Sequence, residues 1–401
     1  MKGIFLVFII VLQSCSVEKK EKLITGNYQA ILKIDENKIL PFNFNVENET
    51  KINILNANEI IEITDITYKN DSVYIRMPVF TSYFVAKIKN GLLYGNFVKE
   101  ELNRTVNFTT VKTKNRFKIN KKSTTNITGN WETIFSPNSE KDKYIAKGIF
   151  KQNGNIVTGT FRTTTGDYRY LEGVLNGNQL KLSTFDGAHA FLFTATVNEN
   201  KMQGAFYSGN HWSEPFVAMR NNTFKLPDSN TLTRINEDIK KFDFSFPSET
   251  GKMISLTDKQ FRDKVVIVQL FGTWCPNCLD ESRYYSEYYK INKNKDVTFI
   301  ALAFEYVKTE EKAFQFIKKF KKDLAIKYPV LLAQYGTTSK KKAQEKMPIL
   351  DKVRSYPTTI ILDKKGVVRK IHTGFNGPAT GQIYLNYKKE FETFIEVLLA
   401  E

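Results

Sequence analysis

One seven-residue stretch, Val265-Val266-Ile267-Val268-Gln269-Leu270-Phe271, ends just before the tetrad Cys275-Pro276-Asn277-Cys278. An almost unbroken run of β-branched and apolar residues marks a strand buried on both faces. Residues 279–290 then carry apolar side chains at helical intervals. A Cys-x-x-Cys pair at such a strand-to-helix turn places its sulfurs about one turn apart, within reach of a disulfide. The first thiol, at the helix N-terminal end, feels unpaired N–H groups and the positive end of the dipole, which favour thiolate. Pro276 falls at the first helical position, where its missing N–H costs nothing. Cys275 is therefore expected to be an exposed nucleophile, and Cys278 the thiol that resolves a mixed disulfide.

The rest of the C-terminal part alternates in the same way. Residues 297–304 and 330–332 read as strands, 310–325 and 386–399 as helices, and 358–362 with 367–372 as a hairpin across Asp363-Lys364-Lys365-Gly366. Lys340-Lys341-Lys342 reads as a solvated helix start. Trp274-Cys275-Pro276-Asn277-Cys278 after a buried strand resembles the thioredoxin fold. The longer string Trp-Cys-x-x-Cys-x-x-Glu, ending at Glu281, resembles the membrane-anchored thiol-disulfide oxidoreductases of the TlpA/ResA type. Ser355-Tyr356-Pro357-Thr358-Thr359 stands where that family has its cis-proline, and Gly374-Phe375-Asn376-Gly377-Pro378 follows the hairpin as in many members.

The resemblance covers residues 243–401. It implies a redox disulfide Cys275–Cys278, with Cys275, Cys278, Glu281 and Pro357 as catalytic residues. Trp274, Pro276, Asn277 and Tyr356 would form the surface that docks a partner disulfide. It implies no cofactor. Its implied partners are disulfide-bearing envelope proteins and a membrane thiol electron donor, with reduction as the favoured direction. Thioredoxins proper carry a buried Asp six residues before the first Cys; here that position is Gln269, an amide that cannot accept the proton. Glu281 is the remaining carboxylate, expected to tune the thiols and move a proton. Zinc would need two further ligands, with only His372 at hand, and His372 itself reads as structural. Copper delivery would call for a Cys-x-x-x-Cys spacing. A peroxidase would resemble Pro-x-x-x-Thr-x-x-Cys at its reactive site; here Leu270 stands five before Cys275 and Thr273 two before it, which disfavours that reading.

The N-terminus reads as an address. Met1-Lys2 precedes a nine-residue apolar run, 4–12, too short to span a bilayer. Leu12-Gln13-Ser14-Cys15 resembles the lipobox of bacterial lipoproteins. Residues 1–14 would then be a signal peptide, Cys15 the lipid attachment that ties the chain to the membrane, and 15–23 a tether. This places the thiol pair outside the cytoplasm, facing the periplasm, where disulfides persist, and leaves open which membrane holds the lipid.

Residues 24–222 alternate with period two between turn signals such as Lys89-Asn90-Gly91 and Asn176-Gly177-Asn178. They read as antiparallel strands of a barrel or sandwich. Ile24-Thr25-Gly26-Asn27-Tyr28 recurs as Ile127-Thr128-Gly129-Asn130-Trp131, and Gly95-Asn96-Phe97 parallels Gly204-Ala205-Phe206. Two duplicated β-rich modules are expected, 24–113 and 126–222. Residues 223–242 would be a linker with one helical turn around 236–241. The fold class is thus multi-domain: all-β modules followed by an α/β thioredoxin-like domain at 243–401. The competing function is a partner- or ligand-binding envelope lipoprotein in which the β half does the binding.

The 401 residues contain only three cysteines, too few for a disulfide scaffold. The net charge of +17 invites a nucleic-acid reading, but Lys supplies 48 of the 59 basic residues. That favours a diffuse, solvated basic surface and excludes nucleic acid as an expected partner. The oligomeric state is left open.

Overall fold

The tyrosine and tryptophan of the repeated pentapeptides do the same job twice. Tyr28 donates its hydroxyl to the Ile24 carbonyl at 2.8 Å, and Trp131 donates Nε1 to the Ile127 carbonyl at 2.9 Å. Each ring is then covered by a cation from the last strand of its own unit, Lys112 in one case and Arg220 in the other. The second repeated signature works alike. Gly95 sits opposite Ala86, and Gly204 opposite Ala195. At either glycine a Cβ would run into the facing strand, at the Val85 or the Thr194 carbonyl. The buried Phe97 and Phe206 follow two residues later on the same face.

In this computed structural model, residues 21–239, 242–293 and 295–401 are described. The first β unit has nine antiparallel strands in sequential order. Its first strand, Gly26–Lys33, pairs with its last, Arg104–Lys112, leaving a gap between Glu59–Ile63 and Ile66–Lys69. The second is a closed eight-stranded barrel, sealed by Gly129–Phe135 against Trp212–Arg220. Aromatic side chains fill its interior: Trp131, Phe135, Phe161, Phe193 and Phe216 are all fully buried. Truncating one such ring to Ala costs about 3–5 kcal/mol. These rings occupy the interior in which one reading of the β half places a ligand.

The outer wall of the barrel packs on the first unit. Phe185 stacks on Phe42 at 4.3 Å between centroids, and Asn56 donates to the Phe185 carbonyl at 2.9 Å. The buried Arg116 guanidinium donates to the Ser183 carbonyl at 3.2 Å and to the Leu55 carbonyl, with Glu172 close by.

The segment expected to be a linker is a strap. No helix forms in its described residues; Ile239 N and the Asn236 carbonyl close a single turn. The reason is that its polar residues find partners on the C-terminal domain. Asn230 bonds His372, the Thr233 hydroxyl accepts from Thr373, and the Asn236 amide donates to the Ile349 carbonyl.

The C-terminal domain carries a five-stranded sheet in the order Val330–Gln334, Val297–Phe304, Val265–Phe271, Thr358–Leu362, Val368–Thr373. The first three strands are parallel, the fourth runs antiparallel to them, and the fifth is antiparallel to the fourth. Helices α1 (Pro276–Asn292), α2 (Glu310–Asp323), α3 (Lys340–Lys346) and α4 (Gln382–Ala400) accompany it. Every residue of the central strand is buried, as its composition predicts. Among the described residues no helix is long and apolar enough to cross a membrane. Cys15 and the proposed signal peptide lie outside the described residues.

Candidate functional site

Helix α1 begins where the sequence places it. Cys275 is the N-cap, its sulfur accepting from the Cys278 amide at 3.2 Å, and Pro276 opens the helix. Cys275 and Cys278 are joined in a disulfide, their Cα atoms 5.2 Å apart. The Tyr356–Pro357 peptide is cis, and the Tyr356 carbonyl oxygen lies 3.5 Å from the Cys275 sulfur. These four residues therefore meet at one point, although about 80 residues of chain separate the two pairs.

Glu281 lies one turn beyond Cys278 on the same helix face. It is fully buried and is held on both oxygens. Gln269 Nε2 donates to Oε2 at 2.7 Å; the Thr359 and Tyr285 hydroxyls donate to Oε1 at 2.9 and 3.3 Å. Burial pushes its carboxyl up to about 7, against the pull of these three donors. A carboxyl in that range can take and return a proton near neutral pH.

Trp274 turns its indole N–H to the Phe304 carbonyl at 2.9 Å and meets Tyr356 edge-on. Glu305, the first residue after the strand Val297–Phe304, escaped the sequence reading. It is fully buried and accepts from both the amide and the hydroxyl of Thr273, at 2.9 and 2.8 Å. Burial pushes it up to about 7. A carboxylate at the carboxyl end of a buried parallel strand was the available signal, because that edge of an open α/β sheet is where sites form.

Two expectations are corrected. Cys275 is 5% exposed and so is not an open nucleophile in this disulfide state. Asn277 is half-buried rather than fully open to a partner, because loop 164–170 of the β-barrel lies against it. Gly166 packs on the Asn277 amide, and the Asp167 amide donates to Asn277 Oδ1 at 3.4 Å. The same loop bridges to Phe375, and Asp167 accepts from the Gly377 amide at 2.5 Å. The two glycines of the Gly-Phe-Asn-Gly-Pro string make this possible: a Cβ at Gly374 would strike the Thr165 backbone, and one at Gly377 would strike Asp280.

Arg169 anchors the loop. Its buried guanidinium pairs with Asp280 of α1 at 2.8 Å, with Glu59 of the first β unit, and with Asp186 of the barrel at 3.6 Å, and it donates to the Pro276 carbonyl at 3.3 Å. Burial opposes its charge, but the three carboxylates hold it well above the ordinary guanidinium range. Burial and the nearby Asp280 push Asp167 up to about 6. No local pattern in the sequence pointed to Arg169. His372 has a structural place, bonded to Asn230 at 3.0 Å and packed on Tyr387; burial pushes it down to about 4.

Comparison with known proteins bears on this geometry. Residues 235–384 match the Redoxin family model. The thioredoxin-like protein YneN of Bacillus subtilis is 30% identical over 132 residues, 33% of this chain and 68% of that protein. The chain belongs to the TlpA/ResA-type thioredoxin-like family. Thiol-disulfide oxidoreductase ResA of Geobacillus thermodenitrificans is 29% identical over 132 residues, 33% of this chain and 66% of ResA. ResA of Bacillus subtilis is 28% identical over 152 residues, 37% of this chain and 74% of ResA. The chain thus spans about two thirds of the relatives it matches. A solved thiol:disulfide interchange protein from Chlorobium tepidum is 22% identical and covers 40% of this chain and 94% of its own, with a TM-score of 0.30. With its Cys-x-x-Cys disulfide, this TlpA/ResA-type domain is a thiol-disulfide oxidoreductase. The β units lie outside the residues that the Redoxin model matches.

Proposed function

We propose that the protein is a lipid-anchored, extracytoplasmic oxidoreductase that reduces disulfides of envelope proteins. The observation that carries this reading is the meeting of Cys275, Cys278, buried Glu281 and cis-Pro357 at the start of α1. The anchoring part rests on the Leu12-Gln13-Ser14-Cys15 string, and the disulfide-bearing substrates on the named activity of the ResA relatives.

In the reduced protein the Cys275 thiolate attacks one sulfur of a substrate disulfide. That bond breaks, and the other substrate sulfur leaves as a thiolate and takes a proton. Cys278 then loses its proton to Glu281 and attacks the Cys275 sulfur. The second substrate thiolate departs, and the protein is left with its disulfide. Two electrons pass from the Cys pair to the substrate, so a dithiol donor at the membrane must restore the pair.

A Cys278→Ala variant tests the reading. It is expected to accumulate mixed disulfides through Cys275 with envelope proteins, visible on non-reducing gels; no adducts from that variant would defeat it. The reduction potential gives the direction, near about −270 mV for a reductant and near about −120 mV for an oxidant.

A further inference from the structure

Between the two β units and the thioredoxin-like domain lies a cavity of about 310 Å³. Its wall is largely apolar, with Phe80 and Phe97 from the first unit and Trp274 and Phe316 from the C-terminal domain. Two cations interrupt it. Lys99 and Arg104 face the cavity from directly opposed positions on paired strands. Like charges placed opposite each other on a sheet repel, so this pair needs a compensating anion. The wall's own carboxylate does not supply it, because Glu101 is held by Lys312 through both oxygens at 2.9 Å. Lys99 reaches only the Ala188 carbonyl, at 3.1 Å. Arg104 makes no side-chain hydrogen bond among the described residues. Burial pushes the Lys99 ammonium down to about 8 although Asp186 pulls the other way, as expected for a cation lacking a partner. His211, also in the wall, is pushed down to about 4 by burial and by the two cations, so it is uncharged at neutral pH.

The cavity also lies beside the chemistry. Trp274 forms part of it and is the residue before Cys275. On the other side of the cysteine pair, loop 164–170 covers Pro276 and Asn277. An extended chain advances about 3.3–3.6 Å per residue, so a polypeptide with its half-cystine at Cys275 passes Trp274 within a few residues.

We infer that this cavity is a substrate subsite that takes an acidic residue with an adjacent apolar side chain from the polypeptide whose disulfide is exchanged at Cys275. The inference rests on the oxidoreductase reading and names the substrate chemistry that the β units select. The two cations meet the carboxylate, and the aromatic wall meets the apolar neighbour.

The test uses the reduced full-length protein and two disulfide-bridged model peptides carrying Phe-Glu or Phe-Lys about three residues from the half-cystine. Bis(2-hydroxyethyl) disulfide is measured alongside. The Phe-Glu peptide is expected to react faster by about tenfold or more at low salt. In the Lys99→Gln/Arg104→Gln double variant the ratio of the two peptide rates is expected to fall close to one. The ratio is internal to each variant, so a general loss of activity does not imitate it. Should the double variant not fold, Arg104→Gln alone must still lower the ratio. Equal peptide rates in the natural protein, or an unchanged ratio in the variants, overturn the subsite. Binding of free 3-phenylpropionate without peptide discrimination overturns it too, by assigning the cavity to a small molecule. Loss of turnover with every disulfide, the small one included, defeats the oxidoreductase reading itself, whereas turnover of the small one without peptide preference defeats the subsite alone.

Discussion

Gln269 donates its side-chain amide to the Glu281 carboxylate at 2.7 Å, tying the central strand to α1. Ser282 in turn donates to Gln269 Oε1 at 3.1 Å, which fixes the amide's orientation. The strand position that holds an acid in thioredoxins proper therefore holds a donor here, and the carboxyl comes from the helix instead.

If Glu281 moves the Cys278 proton, its removal must show in the pH dependence. For Glu281→Gln we expect thiol exchange to slow by about a hundredfold near neutral pH and to lose its inflection near pH 7. Stopped-flow rates from pH 5 to 9 measure this. A profile identical to that of the natural protein would remove Glu281 from the mechanism.

Glu305 carries a stability consequence with a definite sign. Its folded pKa is raised to about 7 from 4.5, so the folded state keeps a proton that the unfolded chain gives up. That contribution is complete below about pH 4.5 and is lost as pH rises to about 7, at about 1.4 kcal/mol per unit. His372, pushed down to about 4, works in the opposite direction over much of this range, so the informative quantity is a difference. Glu305→Gln is expected to gain about 3 kcal/mol on the natural protein between pH 4.5 and 7.5 in urea unfolding. A difference constant with pH counts against a buried, titrating Glu305.

Arg169 is the shared partner of three carboxylates from three parts of the chain, the buried Asp186 and Asp280 and the partly buried Glu59. Arg169→Met leaves them without it, and breaking buried pairs of this kind costs about 3–5 kcal/mol. We expect a lower urea midpoint, and faster alkylation of reduced Cys275 as loop 164–170 lifts from Pro276 and Asn277. Unchanged alkylation would mean that the loop does not guard the thiol.

Gly374 has a left-handed backbone, φ +81°, and Thr165 crosses where its Cβ would be. Gly366 has a similar φ of +76° with open space around it. Gly366→Ala should cost only the backbone term, about 1–2 kcal/mol. Gly374→Ala should cost clearly more, because the barrel loop must also move. Thermal unfolding of the two variants separates the terms, and equal losses would contradict the docking of Thr165 on Gly374.

The C-terminal domain was legible to within a few residues. Continuous apolar runs announced its buried strands, and Cys275-Pro276 announced the start of α1, since an N-cap and a first-turn proline act on their immediate neighbours. The repeated Gly-Asn-Tyr and Gly-Asn-Trp strings marked the first strand of each β unit for the same local reason. Glu281 could be named from its spacing to Cys278, but its burial and its three donors could not.

What the sequence by itself determined is the set of elements and the position of the thiol pair among them. These follow from periodicity, caps and turn residues acting over a few to fifteen neighbours. What only the tertiary structure decided is everything that joins the β units to the chemistry: the closure of Cys275, the strap along 223–239, the cavity beside Trp274 and the Arg169 cluster. Arg169 meets Asp280 and Glu59 across 111 and 110 residues of chain. A buried charge chooses its partners by desolvation and geometry after the units have packed, and no local pattern around either partner records that choice.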